Sequence, residues 1–473
     1  MARARIEALS RDEEDLIHVK SLELLETTGV RIRSDAVLDM LSGFGAEVDR
    51  RRQVALLPES VVIEALGKAS REFTLCGREK DADVSMPSQG LPHLTTDGLT
   101  LYVKDHRSGE DRSASRDDFS QFARLADALD QIDLFWPIVT ISDVPAHSHN
   151  LYELWESFRS CRLHVQCDCM SGEDARRQMN LASLVVGGDE ELGKRPVFSC
   201  AIDPVAPLSF DGGPAEAQVA FAKAGVPVLC HSMSLSGLSS PVTVAGTLTN
   251  VHAENLASLV ISQAARPGAP HIYGSSSTPI DMRTGSIDYT APEGLLISAS
   301  AGQLARRLGR PCTVSDWGAG AKGLGIRTSF TELAAHLGTV FAGSDIVPGV
   351  GGLDDAKGCS LAQMVIDSNL WDGFKAFMRD FTVSEETVAL DVVREVGHGN
   401  SFLMHEHTAR KFREELAIHD EDKLSLEATL SASMAPRAAA IADEVLRSHN
   451  PPALDRDVAR DGEALLAEYS RGG

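Results

Sequence analysis

The stretch Pro267–Gly285, PGAPHIYGSSSTPIDMRTG, lies between two helical segments and decides how the chain is read. A proline-framed loop leads into a short apolar run, His271 to Gly274, which opens onto Ser275, Ser276, Ser277 and Thr278. Upstream, residues 245–265 carry apolar side chains at three- and four-residue spacing, and residues 292–308 do the same downstream. Helix, short strand and helix make one step of a parallel βαβ architecture. Past the strand come a carboxylate (Asp281), a guanidinium (Arg283) and a flexible glycine (Gly285), a composition suited to facing a ligand. From these residues alone, an ordinary βα loop with a surface ion pair reads equally well.

The same step recurs along the chain. Short β-rich runs fall at 135–142, 164–169, 197–202, 227–232, 271–275, 312–315 and 345–350, separated by helical stretches. An eighth strand has two candidate positions, 93–96 and 101–103. Eight such units predict a closed (β/α)8 TIM-type barrel of α/β class, and the lack of G-x-G-x-x-G after the early strands weighs against a dinucleotide-binding sheet. The expected division is a helical and mixed N-terminal flank over 1–116, the barrel over 117–383 and a helical extension over 384–473.

Composition narrows the function. The net charge of −23, from 45 Lys+Arg against 68 Asp+Glu, argues against nucleic acid or an anionic membrane as partner. No apolar run reaches the roughly 20 residues that span a bilayer, and the N-terminus has no apolar signal core, so the chain reads as cytoplasmic. The eight cysteines lack paired metal-ligand spacing; Cys167, Cys169, Cys200, Cys230 and Cys312 read as buried reduced thiols, and no metal is expected. His405-Glu406-His407 runs into a helix and reads as polar helix entry in preference to a metal site.

In a barrel the chemistry sits at the C-terminal strand ends. Those ends carry Asp143, Asp168, Asp203, His231, Tyr273, Asp316 with Trp317, and residues 349–352. Singly, each such Asp reads more readily as a helix cap. The candidate catalytic residues are Asp281, Arg283 and His231. Trp136, Tyr273, Trp317 and Phe341 stand out in a chain with 5% aromatics and suit a quaternary ammonium through cation–π attraction, with core packing as the plainer reading. Arg283, Arg327 or Lys322 suits a substrate carboxylate. Gly349 and Gly351 are the candidate cofactor-facing positions.

Several segments together resemble one family. They are residues 24–32 (LLETTGVRI), 57–59 (LPE), 73–78 (FTLCGR), 267–274 (PGAPHIYG), 281–285 (DMRTG), 291–293 (APE), 405–408 (HEHT) and 412–416 (FREEL). In this order, over about 400 residues, they are similar to the trimethylamine methyltransferase (MttB-type) superfamily of corrinoid-dependent methyltransferases. The resemblance implies a barrel enzyme that moves a methyl group from an N-methylated amine to the Co(I) corrinoid of a separate small protein docked over the mouth. The founding members contain pyrrolysine. This sequence has none, which places the resemblance with the branch acting on quaternary amines such as glycine betaine. The segment 315–322 (SDWGAGAK) departs from the pattern expected after its strand, so the substrate stays open. A homo-oligomer is expected. The competing readings are a catalytically silent paralogue that binds a betaine or the corrinoid protein, and a barrel lyase or hydrolase using strand-end carboxylates.

Overall fold

The computed structural model describes residues 5–289, 291–314, 316–317, 323–324, 338–339, 341–416 and 434–471. Eight parallel strands form one sheet: β1 (His93–Thr96), β2 (Leu134–Phe135), β3 (His164–Asp168), β4 (Phe198–Ile202), β5 (Val228–Ser232), β6 (His271–Ser275), β7 (Cys312–Thr313) and β8 (Ile346–Val350). They pair in chain order, and β8 returns to β1 through Ile346↔His93 and Val347↔Leu94. Across the last gap, the Asp345 amide donates to the Cys312 carbonyl at 2.8 Å and the Trp317 amide to the Pro348 carbonyl at 2.7 Å. The sheet is therefore a nearly closed eight-stranded barrel, as the strand rhythm predicts. Of the two positions open for the eighth strand, 93–96 is the one taken, upstream of residue 117. Tyr102–Lys104 instead pairs with Asp111–Arg112 and Gly358–Cys359 in a small sheet on the mouth side.

Helices cross between the strands: α1 (Arg116–Ala128), α2 (His149–Ser160), α3 (Gly172–Val186), α4 (Gly212–Ala224), α5 (Val244–Ala265), α6 (Pro292–Arg307) and, after β8, α7 (Leu361–Met378). Local sequence starts them: Ser115 with Asp118 forms a capping box on α1, and Ser171 and Thr243 cap α3 and α5 through their hydroxyls. Among these, α5 is buried on nearly every side, because the N-terminal helices Arg11–Thr27 and Glu59–Lys68 pack over it. Its polar residues are accordingly paired: Gln218 donates to Ser258 and Ser262, and Asn255 bridges to the Gly274 backbone.

The flank is stitched to the barrel by a second sheet, in which Val30–Ile32 runs parallel to Ser209–Phe210 in the β4–α4 loop. A hairpin of Phe73–Leu75 against Val84–Met86 closes the base. Its Leu75, Val84 and Met86 meet Leu134, Ala201, Leu229, Ile272 and Ile346 inside the barrel. Fully burying each such aliphatic chain stabilises by about 1.5–3 kcal/mol, so the interior is a plugged core open at one end. All eight cysteines are buried and free. No described helix is long and apolar enough to cross a membrane.

Candidate active site

Alternation along each strand decides which side chains enter the barrel. On β5, Leu229 and His231 point inward and Cys230 outward; on β6, Ile272 faces in while Tyr273 faces α5. At the open end, five neighbouring strands bring one polar line together. Trp136, immediately after β2, donates its indole N–H to Asp168 Oδ2 on β3 at 2.9 Å. Its ring stands edge-on to His231 on β5, with centroids 5.6 Å apart. His231 Nδ1 lies 2.8 Å from Asp203 Oδ1 after β4, and Nε2 lies 2.8 Å from Ser276 Oγ after β6.

The backbone holds this line in place. The Thr96 hydroxyl donates to the Trp136 carbonyl at 2.6 Å and accepts from the Trp136 amide at 2.8 Å. Gly98 lets the indole lie flat on the chain, since a Cβ there would sit 2.9 Å from the ring. Beneath the mouth, buried Glu254 on α5 accepts from the Leu208 amide, the Ser232 hydroxyl and Asn250, tying the loops after β4 and β5 to one helix.

The electrostatics are those of an acidic mouth. Burial, then the neighbouring charge of Asp203, pushes the Asp168 carboxyl up to about 7, against the indole hydrogen bond. For His231, burial lowers the imidazole, but the hydrogen bond and charge of Asp203, with Asp168 and Asp316, outweigh it and leave the net shift upward. Tyr289 is partly buried after the β6 loop doubles back through Ile280↔Ile287. Burial raises its phenol most, and Asp316, Asp97 and Asp355 add to the shift, which places it in the same field. A perturbed carboxylate, an imidazole and aromatic rings thus gather at the C-terminal face and make it the candidate site.

The order Ser276–His231–Asp203 matches the hydrogen-bond order of an acyl-transfer triad. The nearest backbone donors are committed elsewhere, however: the Ser276 amide donates to the Ser232 carbonyl and the Ser277 amide to Ser275 Oγ. Neither is left to stabilise an oxyanion.

The structure thus brings two of the expected positions, His231 and Trp136, together in this cluster. Other expected positions lie elsewhere. Tyr273 faces out of the barrel, 2% exposed, with its hydroxyl 3.2 Å from His252 Nδ1, because strand parity turns it toward α5. Trp317 is buried edge-on against Trp371 and Phe374 of α7. Phe341 precedes β8, at the base end, and packs on the outer core. Gly349 and Gly351 have positive φ and are buried; a Cβ on Gly351 would strike Met364, so their freedom serves the turn out of β8 and presents no surface to a cofactor. Arg327 and Lys322 lie outside the described residues.

Asp281 and Arg283 sit on the β6 loop and pair with each other: Arg283 Nε and Nη2 donate to the Asp281 carboxylate at 3.1 and 3.0 Å, and the Arg283 amide donates to Oδ1 at 2.8 Å. The Arg283 side chain is 89% exposed. Screened by water, this pair shapes a turn. Arg283→Ala is expected to change kcat/KM by less than twofold in a steady-state activity assay; a tenfold loss would place the guanidinium on substrate. Asp143 accepts from the Arg116 amide at the start of α1, a capping role. The site residues that strand-end reading located but left without a role are Asp168 and Asp203; Tyr289 carried no signal in the sequence, since nothing local reveals the doubling-back of its loop.

The family model described as trimethylamine methyltransferase (MTTB) matches residues 2–471. The chain belongs to this family. It is 29% identical over 462 residues to the trimethylamine methyltransferase MttB of Desulfitobacterium hafniense strain DCB-2, covering 97% of this chain and 93% of that protein. A trimethylamine methyltransferase of Methanosarcina barkeri is also 29% identical, over 96% of this chain and 93% of its own. The glycine betaine methyltransferase of Desulfitobacterium hafniense strain Y51 is 27% identical over 98% and 97%. Among solved structures, the Methanosarcina barkeri monomethylamine methyltransferase has a TM-score of 0.52 at 12% identity, covering 93% of this chain and 88% of that one, a likeness of fold. The protein is a methyltransferase of this family, and its barrel mouth is the place to seek the methyl donor.

Proposed function

We propose that this chain transfers a methyl group from a quaternary amine, of which glycine betaine is the model compound, to the Co(I) corrinoid carried by a separate protein. The observation that carries the reading is the Trp136–Asp168–His231–Asp203 line at the barrel mouth. It joins an aromatic ring to two carboxylates, the chemistry that recognises a trimethylammonium head. Family membership supports the reaction class.

The corrinoid acts as methyl acceptor and arrives with its carrier, so this chain needs an open mouth and no resident cofactor site. Exposed apolar residues on the loops after β3, β5 and β6 (Met170, Leu238 and Met282) fit a face that receives such a carrier. In the transfer, the C–N bond breaks with its electron pair left on nitrogen, and the acceptor's electron pair forms the new bond to carbon. Positive charge on the amine therefore falls as the reaction proceeds. The carboxylates hold the charged ground state more tightly than the neutral product, so their contribution lies in binding and alignment. The same loss of charge weakens the hold on the tertiary amine and aids its release. That product is a base, and His231, its imidazole raised by Asp203 despite burial, is placed to give it a proton that solvent then restores.

The test is to mix the purified chain with its reduced corrinoid protein and a panel of betaines, choline and carnitine. Loss of the Co(I) absorbance with one quaternary amine, together with release of the matching tertiary amine, is expected. Binding of a betaine without demethylation would identify a silent paralogue. No response to any quaternary amine, with trimethylamine consumed instead, would overturn the substrate class while leaving the family assignment intact.

A further inference from the structure

At the base of the barrel, opposite the mouth, two arginines stand together without an acid. Arg310 follows the end of α6, leads into β7 and is only 4% exposed. Its Nε donates to the Leu308 carbonyl at 3.3 Å and its Nη1 to the Ser70 carbonyl at 2.9 Å. Its Nη2 is buried and has no hydrogen-bond partner. A buried donor left unpaired costs free energy, and a charged one costs more.

Arg71 lies alongside. A Cβ built on Gly309 would stand 3.9 Å from Arg71 Cδ and Nε, so the stem of Arg71 runs past the turn that presents Arg310. Arg71 is exposed and has no ion pair or hydrogen bond among the described residues. No carboxylate offsets Arg310 either: burial, then the charge of Arg71, brings its guanidinium down to about 10. Arg116 and Arg162, by contrast, reach the buried carboxylates of Glu156 and Asp127. His271, at the start of β6, feels the same positive field. Burial and then Arg310 bring its imidazole down to about 3, which keeps it neutral. Its Nε2 lies 3.1 Å from Ser258 Oγ, and its Nδ1 is a second buried atom without a partner. The plainer role for Arg310 is a strap that caps the C-terminal end of α6 and ties down Ser70, where carbonyls offset part of its charge. That role uses Nε and Nη1 and accounts for neither Nη2 nor Arg71.

We propose that Arg310 and Arg71 form a binding site at the barrel base for a phosphate-class dianion. Arg71 supplies the outer fork, and Arg310 supplies the buried charge and the Nη2 donor at the floor. Two guanidiniums close together carry the charge that such an ion balances, and their planar forks match its oxygens. The net charge of −23 does not oppose this, because charges beyond about 8 Å are screened at physiological salt. Arg71 leads into the hairpin strand Phe73–Leu75 that plugs the base, and Arg310 leads into β7, so a bound dianion ties plug to barrel. The inference does not depend on the substrate or on methyl transfer.

Isothermal titration and calorimetric melts on the full chain test it, with inorganic phosphate added from micromolar to tens of millimolar against sodium chloride at matched ionic strength. Phosphate is expected to bind with a dissociation constant on the order of 1 mM and to raise the melting temperature as its concentration passes that value. Arg71→Met should melt with wild type in chloride, since the guanidinium supports no contact there. It should bind phosphate about tenfold more weakly, the loss of one charge-assisted contact. Arg51→Met, at an exposed arginine of the flank, should bind as wild type does. Hydrogen exchange gives a readout that needs no variant: amides of 70–76 and 308–313 should slow with phosphate and not with chloride. Glycerol phosphate separates two sources of the same group. Equal or tighter binding assigns a phosphate ester, and weaker binding assigns the free ion. Phosphate that acts no differently from chloride, undiminished affinity in Arg71→Met, or an equal loss in Arg51→Met would overturn the proposal.

Discussion

Asp168→Asn is expected to make this protein more stable and nearly inactive. In the fold, burial and the charge of Asp203 raise the carboxyl from its ordinary 3.8 to about 7. An acid whose folded pKa is raised is penalised when ionised. The penalty is absent below the unfolded pKa, grows as pH rises between the two values and is complete above about 7. Each unit is worth about 1.4 kcal/mol, so ionised Asp168 costs the fold a few kcal/mol, reduced wherever water reaches it. The variant removes that cost. Its melting temperature should exceed wild type by a few degrees at pH 8 and match it near pH 4, in calorimetric scans across that range. Its kcat/KM should fall about 100-fold, since a charged partner of a bound cation is worth about 1.5–3 kcal/mol. Wild-type affinity for a permanent cation should weaken as pH drops below about 7, where Asp168 takes up a proton, and Asp168→Asn should lose that part of the dependence. A variant that binds the amine as well as wild type would remove Asp168 from the site.

The second large effect is at Trp136. The ring is 6% exposed and packs inside the barrel with Leu134, Leu229 and Ile346. Trp136→Ala should cost about 3–5 kcal/mol of stability through the cavity it leaves. It should also abolish measurable transfer, because the Asp168 hydrogen bond and the wall facing His231 are lost together. Trp136→Phe separates the two. The core is largely kept, but the N–H that lowers the Asp168 pKa is gone, so the acidic limb of the activity profile should move to higher pH. Urea melts measure the first variant and pH–rate profiles the second. An unshifted profile in Trp136→Phe would show that the indole hydrogen bond does not set the titration.

These two residues show how the site divides between sequence and structure. Asp168 was legible as a strand end, because the run 164–169 has the composition and length of a buried parallel strand and barrel chemistry gathers where such strands stop. His231 followed from the same rule. Tyr273 and Trp317 failed although they lie at strand ends too: one residue of parity turns Tyr273 outward, and α7 covers Trp317. Asp281 and Arg283 looked like a ligand pair because their types suit ligands, whereas in space they satisfy each other at the rim.

By itself the sequence determined the architecture. Alternating short apolar runs and helical stripes can bury their faces together only as parallel strands under crossing helices, and eight of them suffice to close a ring. The ordered motifs, beginning with Pro267–Gly285, likewise carried the family. The tertiary structure alone decided which strand-end side chains meet. Facing inward depends on strand register, and the pKa of Asp168 depends on residues far away in sequence. Neither Trp136, 32 positions from Asp168, nor Asp203 beside His231, 28 positions off, leaves a local trace of its partner.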